Sequence, residues 1–127
     1  MALPSAPSVT FNAEGNVLPI TTSLAGGGST TTGVDFSVNA LGGWMQVYGK
    51  GGATVAATNG VQVAILPQGS AGGTFDSIPM WIFSFGTTAN TAARESIFLP
   101  TGRYAVALLN LDATNAINVG LTTNPVS

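Results

Sequence analysis

The sequence predicts an all-β protein: a single antiparallel β-sandwich of jelly-roll or Ig-like type, with an extended N-terminal arm. Three observations predict it. Roughly seven to nine short apolar runs recur about 8 to 12 residues apart, each bounded by Gly, Pro, Asn or Asp. Within most runs, apolar residues alternate with polar ones, as on a strand with one buried face. No segment sustains a helical period with caps, so helices are expected to be minor. With 127 residues and no visible linker, the chain fits one domain. The expected division is an arm over 1–16 and a sandwich over 17–127. Strand order is not encoded in periodicity, so both sandwich types stand.

The elements follow in order. Residues 1–16 hold Pro4 and Pro7 among small polar residues, and proline pushes its predecessor toward extended backbone. Val9 and Phe11 are the arm's apolar anchors, candidates for contact with a neighbouring subunit. Val17 to Ile20 is apolar, and Pro19 restricts it to an edge. Ala25 to Gly33 reads as a flexible loop. Val34, Phe36 and Val38 alternate with Asp35, Ser37 and Asn39 as a half-buried strand. Gly42-Gly43 breaks the chain before the strand Trp44 to Tyr48, and Gly49 to Gly52 turns it.

Ala53 to Ala57 is a weak strand, and Thr58-Asn59-Gly60 predicts a hairpin turn, since Asn-Gly tolerates positive φ. Val61, Val63 and Ile65 give the next strand, followed by a loop over Pro67 to Gly73. Ile78 to Phe85 is the densest apolar run and predicts a well-buried strand. Thr87 to Ala93 fits a single helical turn, and Ser96 to Leu99 is a short apolar run. Tyr104, Val106 and Leu108 form a strand. Asp112 to Asn115 turns the chain into Ile117, Val119 and Leu121.

Composition bounds function. Charged residues make up only 6% of the chain and the net charge is −2, against about 25% charged in ordinary soluble domains. Mean hydropathy is +0.40. A surface so poor in charge favours association, so partners are expected to cover much of it; a monomer solubilised by Thr, Ser and Asn is the competing reading. The three cations, Lys50, Arg94 and Arg103, are too few for a nucleic-acid footprint or an anionic membrane. No apolar run reaches the roughly 20 residues of a membrane span. The segment MALPSAPSV lacks the basic and apolar regions of a signal peptide, so synthesis in the cytoplasm is expected.

Catalysis and cofactors are not expected. There is no Cys and no His, so neither a thiolate metal site nor a His-activated nucleophile can be built. Glu14, Asp35, Asp76, Glu95 and Asp112 are scattered, whereas acid–base work needs paired carboxylates. Asn110, Asp112 and Asn115 offer one carboxylate in a turn, poor for calcium and sufficient for an Asx turn. Around Lys50, the phosphate-loop spacing fails at Trp44 and Gly51. Aromatics on strands are usually core. Trp44, Tyr48 and Trp81 are the candidates for exposure, either at a subunit interface or as a platform for sugar.

Two resemblances add to this. The segment from Leu99 to Val106 is similar to the tyrosine corner of Ig-like and fibronectin-like sandwiches. That likeness implies a structural role for Leu99, Gly102 and Tyr104, with the Tyr104 hydroxyl bonded to upstream backbone. Over its whole length the chain resembles the small β-rich accessory proteins of tailed-bacteriophage particles. The features are the Pro-containing arm, the Gly/Thr/Ala/Asn-rich strands, the absence of Cys and His, and the Asn-rich segment from Asn110 to Gly120. That resemblance implies a capsid decoration (cement) protein on the virion, packed as a homotrimer against itself and a major capsid protein. The competing function is a receptor- or carbohydrate-binding sandwich module of a phage head or tail fibre.

Overall fold

A computed structural model describes residues 16–52, 60–68, 75–87 and 91–126. The chain forms eight strands: β1 (Asn16–Leu24), β2 (Ser29–Asp35), β3 (Gly43–Gly51), β4 (Val61–Pro67), β5 (Trp81–Phe85), β6 (Ala92–Leu99), β7 (Arg103–Asn110) and β8 (Ile117–Pro125). They build two four-stranded sheets, in the orders β1-β8-β3-β6 and β2-β7-β4-β5, with every neighbouring pair antiparallel. Only β4 and β5 follow one another within a sheet; every other step crosses the sandwich. This interleaved order is the jelly roll, which settles the choice between the two sandwich types. Among the described residues there is no helix.

Period-two alternation makes the core. Met45 and Val47 of β3, Ile97 and Leu99 of β6, and Ile117, Val119 and Leu121 of β8 face Val61, Val63, Ile65, Tyr104, Val106 and Leu108 of the other sheet. Most have no exposed surface, and each such side chain contributes about 1.5–3 kcal/mol by leaving water. The middle of the second sheet is buried on both faces. Ala64, Leu66, Ala105 and Ala107 lie under Phe75, forming a second small core. Phe75 is set by its bridge to Gln68 and by the Asp76 N–H donating to the Pro67 carbonyl (2.9 Å).

Several sequence expectations are corrected. Ala25 to Gly33 is not all loop. Its threonines suit a pleated strand, and β2 pairs with β7 in unbroken register from Ser29↔Leu109 to Asp35↔Arg103. The strand expected over Val34 to Asn39 stops at Asp35, and Val38 is 86% exposed. The Ser37 N–H and hydroxyl both donate to the Asp35 carboxylate, which turns the backbone out of the sheet. The chain then folds back through Gly42, whose N–H donates to the Asn39 carbonyl (2.9 Å) and whose φ of +79° and close approach to the Leu99 carbonyl need a glycine. Gly60 also has positive φ, but β3 and β4 lie in opposite sheets and are not a hairpin. Ala92 and Ala93, expected to close a helical turn, open β6 instead.

The largest correction concerns Ile78 to Phe85. The strand begins only at Trp81 and is a sheet edge, so Trp81 and Ile82 of β5 are exposed, as are Ile78 and Met80 in the segment before it. Asn16, expected to end the arm, opens β1 instead; residues 1–15 of the arm, with Val9 and Phe11, and the strand expected over Ala53 to Ala57 lie outside the described residues.

Candidate functional site

The outer face of the β1-β8-β3-β6 sheet carries the most distinctive surface. With Met45, Val47 and Gly49 turned inward, β3 presents Trp44, Gln46, Tyr48 and Lys50 outward. Register places Phe98, Ser96, Arg94 and Ala92 of β6 beside them on one flank. Asn124, Thr122, Gly120 and Asn118 of β8 lie on the other. Trp44 and Phe98 pack edge to face, ring centroids 5.4 Å apart at 74°, yet remain 48% and 40% exposed. Trp44 stands on the central strand β3 and Phe98 on the edge strand β6, so the pair is an exposed apolar spot on a face that is otherwise largely polar.

Trp44, Gln46, Ser96, Thr122, Thr123 and Asn124 line a shallow depression of about 220 Å³ beside this pair. The Gln46 amide reaches the Ser96 hydroxyl at 3.4 Å. The site is thus an exposed aromatic pair, its two rings nearly perpendicular, bordered by amides and hydroxyls. Farther along β3, the Arg94 guanidinium lies 5.1 Å above the centre of the Tyr48 ring. The far rim is Ile20. A register irregularity between Leu18 and Thr22 folds β1 over β8, and a Cβ on Gly120 would meet the Ile20 Cα at 2.6 Å. Pro19 sits within that irregularity on an edge strand, as its missing N–H requires.

A second concavity of about 270 Å³ opens between the two edge strands β5 and β6, lined by Trp81, Phe83, Ser84, Glu95, Ser96 and Ile97. It exists because both sheets end on this side of the sandwich. Of the three aromatic candidates, Trp44 and Tyr48 therefore share one face, while Trp81 belongs to the cleft.

The tyrosine-corner residues lie away from both. The Tyr104 hydroxyl donates to the Pro100 carbonyl (2.6 Å), Leu99 is fully buried, and burial raises the Tyr104 phenol above its ordinary value. Phe36 and Gly102 exchange backbone bonds, and the Thr101 hydroxyl also donates to the Phe36 carbonyl (2.9 Å). The segment pins the β6–β7 turn to the end of β2. Nearby, Arg103 pairs with Asp35 at 3.1 Å. Burial raises the Asp35 carboxyl, but the Ser37 donors and Arg103 outweigh it and hold it below its ordinary value.

The turn between β7 and β8 has its own network. Fully buried Asn110 donates through Nδ2 to the Leu24 (3.3 Å), Ala25 (3.1 Å) and Asn115 (2.7 Å) carbonyls and accepts the Asp112 N–H (3.0 Å). Asp112 accepts the Thr114 and Asn115 backbone N–H groups (2.9 and 2.8 Å) and the Asn115 amide, which lower its pKa from 3.8 to about 2. Its oxygens are spent on donors, which explains the residue as a turn cap. Among the described residues no cluster of three or more His, Cys, Asp or Glu is placed to hold a metal.

Sequence reasoning missed Phe98, Arg94, Gln46, Thr122 and Asn124. The alternation of Ile97 and Leu99 with Ser96 and Phe98 carried a signal for Phe98; only cross-strand register places it beside Trp44.

No family model matches the chain, and no curated protein matches it. Solved structures do resemble it in fold. Xyl-CBM35, in complex with a glucuronic-acid-containing disaccharide, superposes with a TM-score of 0.50 at 18% identity, covering 81% of this chain and 70% of that one. PirA gives 0.49 at 9% identity over 81% of this chain and 90% of its own. CsCBM6-3 from Clostridium stercorarium, in complex with cellobiose, gives 0.43 at 17% identity over 80% and 70%. At these identities the likeness is one of β-sandwich architecture.

Proposed function

We propose that the chain is a carbohydrate-binding β-sandwich module that takes glycan on the outer face of the β1-β8-β3-β6 sheet. The observation that carries the reading is the exposed Trp44–Phe98 pair, ringed by Gln46, Ser96, Thr122 and Asn124. A sugar ring has an apolar face of C–H groups and a rim of hydroxyls. An aromatic plate takes the first, and amides with hydroxyls take the second. The plate stands on paired strands, so little ordering is needed on binding. Binding is proposed without catalysis.

A glycan array probed with the wild-type protein, W44A and F98A tests the proposal. Wild type is expected to bind a subset of glycans, and each variant to lose about tenfold or more in affinity, the value of one stacked aromatic. A folded wild-type protein that binds no glycan would overturn it.

A second reading rests on a different observation. Ile78 and Met80 before β5, and Trp81 and Ile82 on it, are exposed at a free sheet edge, where apolar side chains and unpaired backbone invite association. With the scarcity of charge, this supports a self-assembling virion component, either a trimeric decoration protein against a major capsid protein or a fibre module. In a fibre, assembly and glycan recognition would coexist. Light scattering discriminates: a closed oligomer supports assembly, and a monomer across micromolar concentrations opposes it.

A further inference from the structure

The charge on the candidate face is one-sided. The chain has three cations, and two of them, Lys50 and Arg94, lie on this face. The third, Arg103, is paired with Asp35 on the other sheet. The described carboxylates point elsewhere. Asp35 is on β2, Asp76 precedes β5, Asp112 caps the β7–β8 turn, and Glu95 turns into the cleft beside Trp81. Neither Lys50 nor Arg94 forms an ion pair with a described carboxylate, so among the described residues this sheet face carries only positive charge, in a chain of net charge −2.

The placement is specific. Tyr48 sits opposite Arg94 and Lys50 opposite Ala92, so the two cations are diagonal neighbours across β3 and β6, about 7–8 Å apart at the backbone. Arg94 lies over the Tyr48 ring, which holds the guanidinium plane and leaves its N–H edge free to bond an anion. Along β3, Trp44 and Tyr48 are about 13 Å apart. A di- or trisaccharide stacked on Trp44 therefore reaches the cations.

We infer that the glycan taken by this face is anionic: a sugar stacks on a ring face of the Trp44–Phe98 pair while an acidic group, a carboxylate or a sulfate, is held by Arg94 and Lys50. This inference rests on the carbohydrate-binding reading and adds the chemical class of the ligand. Arg94 supplies paired donors matched to a planar acid, and Lys50 supplies a point charge.

The test is calorimetric titration of the wild-type protein, W44A, R94Q and K50Q with four probes: an oligogalacturonate, a sulfated oligosaccharide, a neutral cello-oligosaccharide of matched length, and a single-stranded DNA oligonucleotide. The expected result is that one or both acidic sugars bind about tenfold or more tighter than the neutral one, and that salt erodes the difference. R94Q and K50Q lose that preference and keep any neutral affinity; W44A weakens all sugars. The better acidic probe identifies the group, carboxylate or sulfate. Equal binding of neutral and acidic sugars overturns the inference and leaves the carbohydrate reading standing. Binding to no sugar overturns both. DNA binding as tight as the acidic sugars overturns the inference in favour of a general polyanion surface.

Discussion

Replacing Asn110 should be among the most damaging single changes in the molecule. Three carbonyl oxygens converge on its Nδ2 while its Oδ1 accepts the Asp112 N–H, so one side chain ties the end of β1 to β7 and to the turn leading into β8. In N110A the Leu24 carbonyl and the Asp112 N–H are left buried and unpaired, at about 1–3 kcal/mol each. The Ala25 carbonyl keeps the Gly28 N–H (2.8 Å), and the part-buried Asn115 carbonyl rehydrates at smaller cost. The sum is about 2–6 kcal/mol, lowering the melting temperature by roughly 8–25 °C. N110D is isosteric but presents a carboxylate to the same carbonyl oxygens. That raises its folded pKa above the ordinary carboxylate range, so N110D gains stability relative to N110A as pH falls and loses it as pH rises. Thermal and urea denaturation of both variants at neutral and acidic pH measure this. An N110A protein within about 0.5 kcal/mol of wild type, or an N110D that tracks N110A at every pH, would refute the reasoning.

Other outcomes follow from the same geometry. The depressed Asp112 pKa means its contribution is complete above pH 3.8 and disappears as pH falls toward about 2; in acid titrations followed by circular dichroism, D112N should lack this component. Y104F removes the hydroxyl bond to the Pro100 carbonyl and should cost about 1 kcal/mol in urea unfolding, with the fold retained. G120V forces its side chain against the Ile20 backbone and should destabilise by about 1–3 kcal/mol, whereas valine at an open strand position would be neutral or favourable.

What the sequence made legible depended on where each strand sits. The central strands β3, β4, β7 and β8 bury one apolar file each, and Met45/Val47, Val61/Val63/Ile65, Tyr104/Val106/Leu108 and Ile117/Val119/Leu121 record that in their spacing. β2 was hidden because its inward positions include Thr30 and Thr32, small polar residues that pack beside β7 without an apolar signature. β5 misled in the opposite sense. Its composition speaks of burial, but burial is set by strand order, which local spacing does not encode. The candidate face shows the same division. Trp44 and Tyr48 are visible as aromatics four positions apart on one side of a strand, flanking Gln46. Phe98 and Arg94 join them only through the β3–β6 register, a contact between residues far apart in the chain.

The face and the cleft each contain one of the two tryptophans, so emission can report which of them takes sugar. The most direct test of the account titrates W81F, which keeps only Trp44, and W44F, which keeps only Trp81, with an oligosaccharide selected on the array. The account predicts a saturable change in Trp44 emission in W81F and a flat response in W44F. A saturable response from Trp81 with Trp44 silent would place sugar binding in the β5–β6 cleft and contradict the assignment of the sheet face.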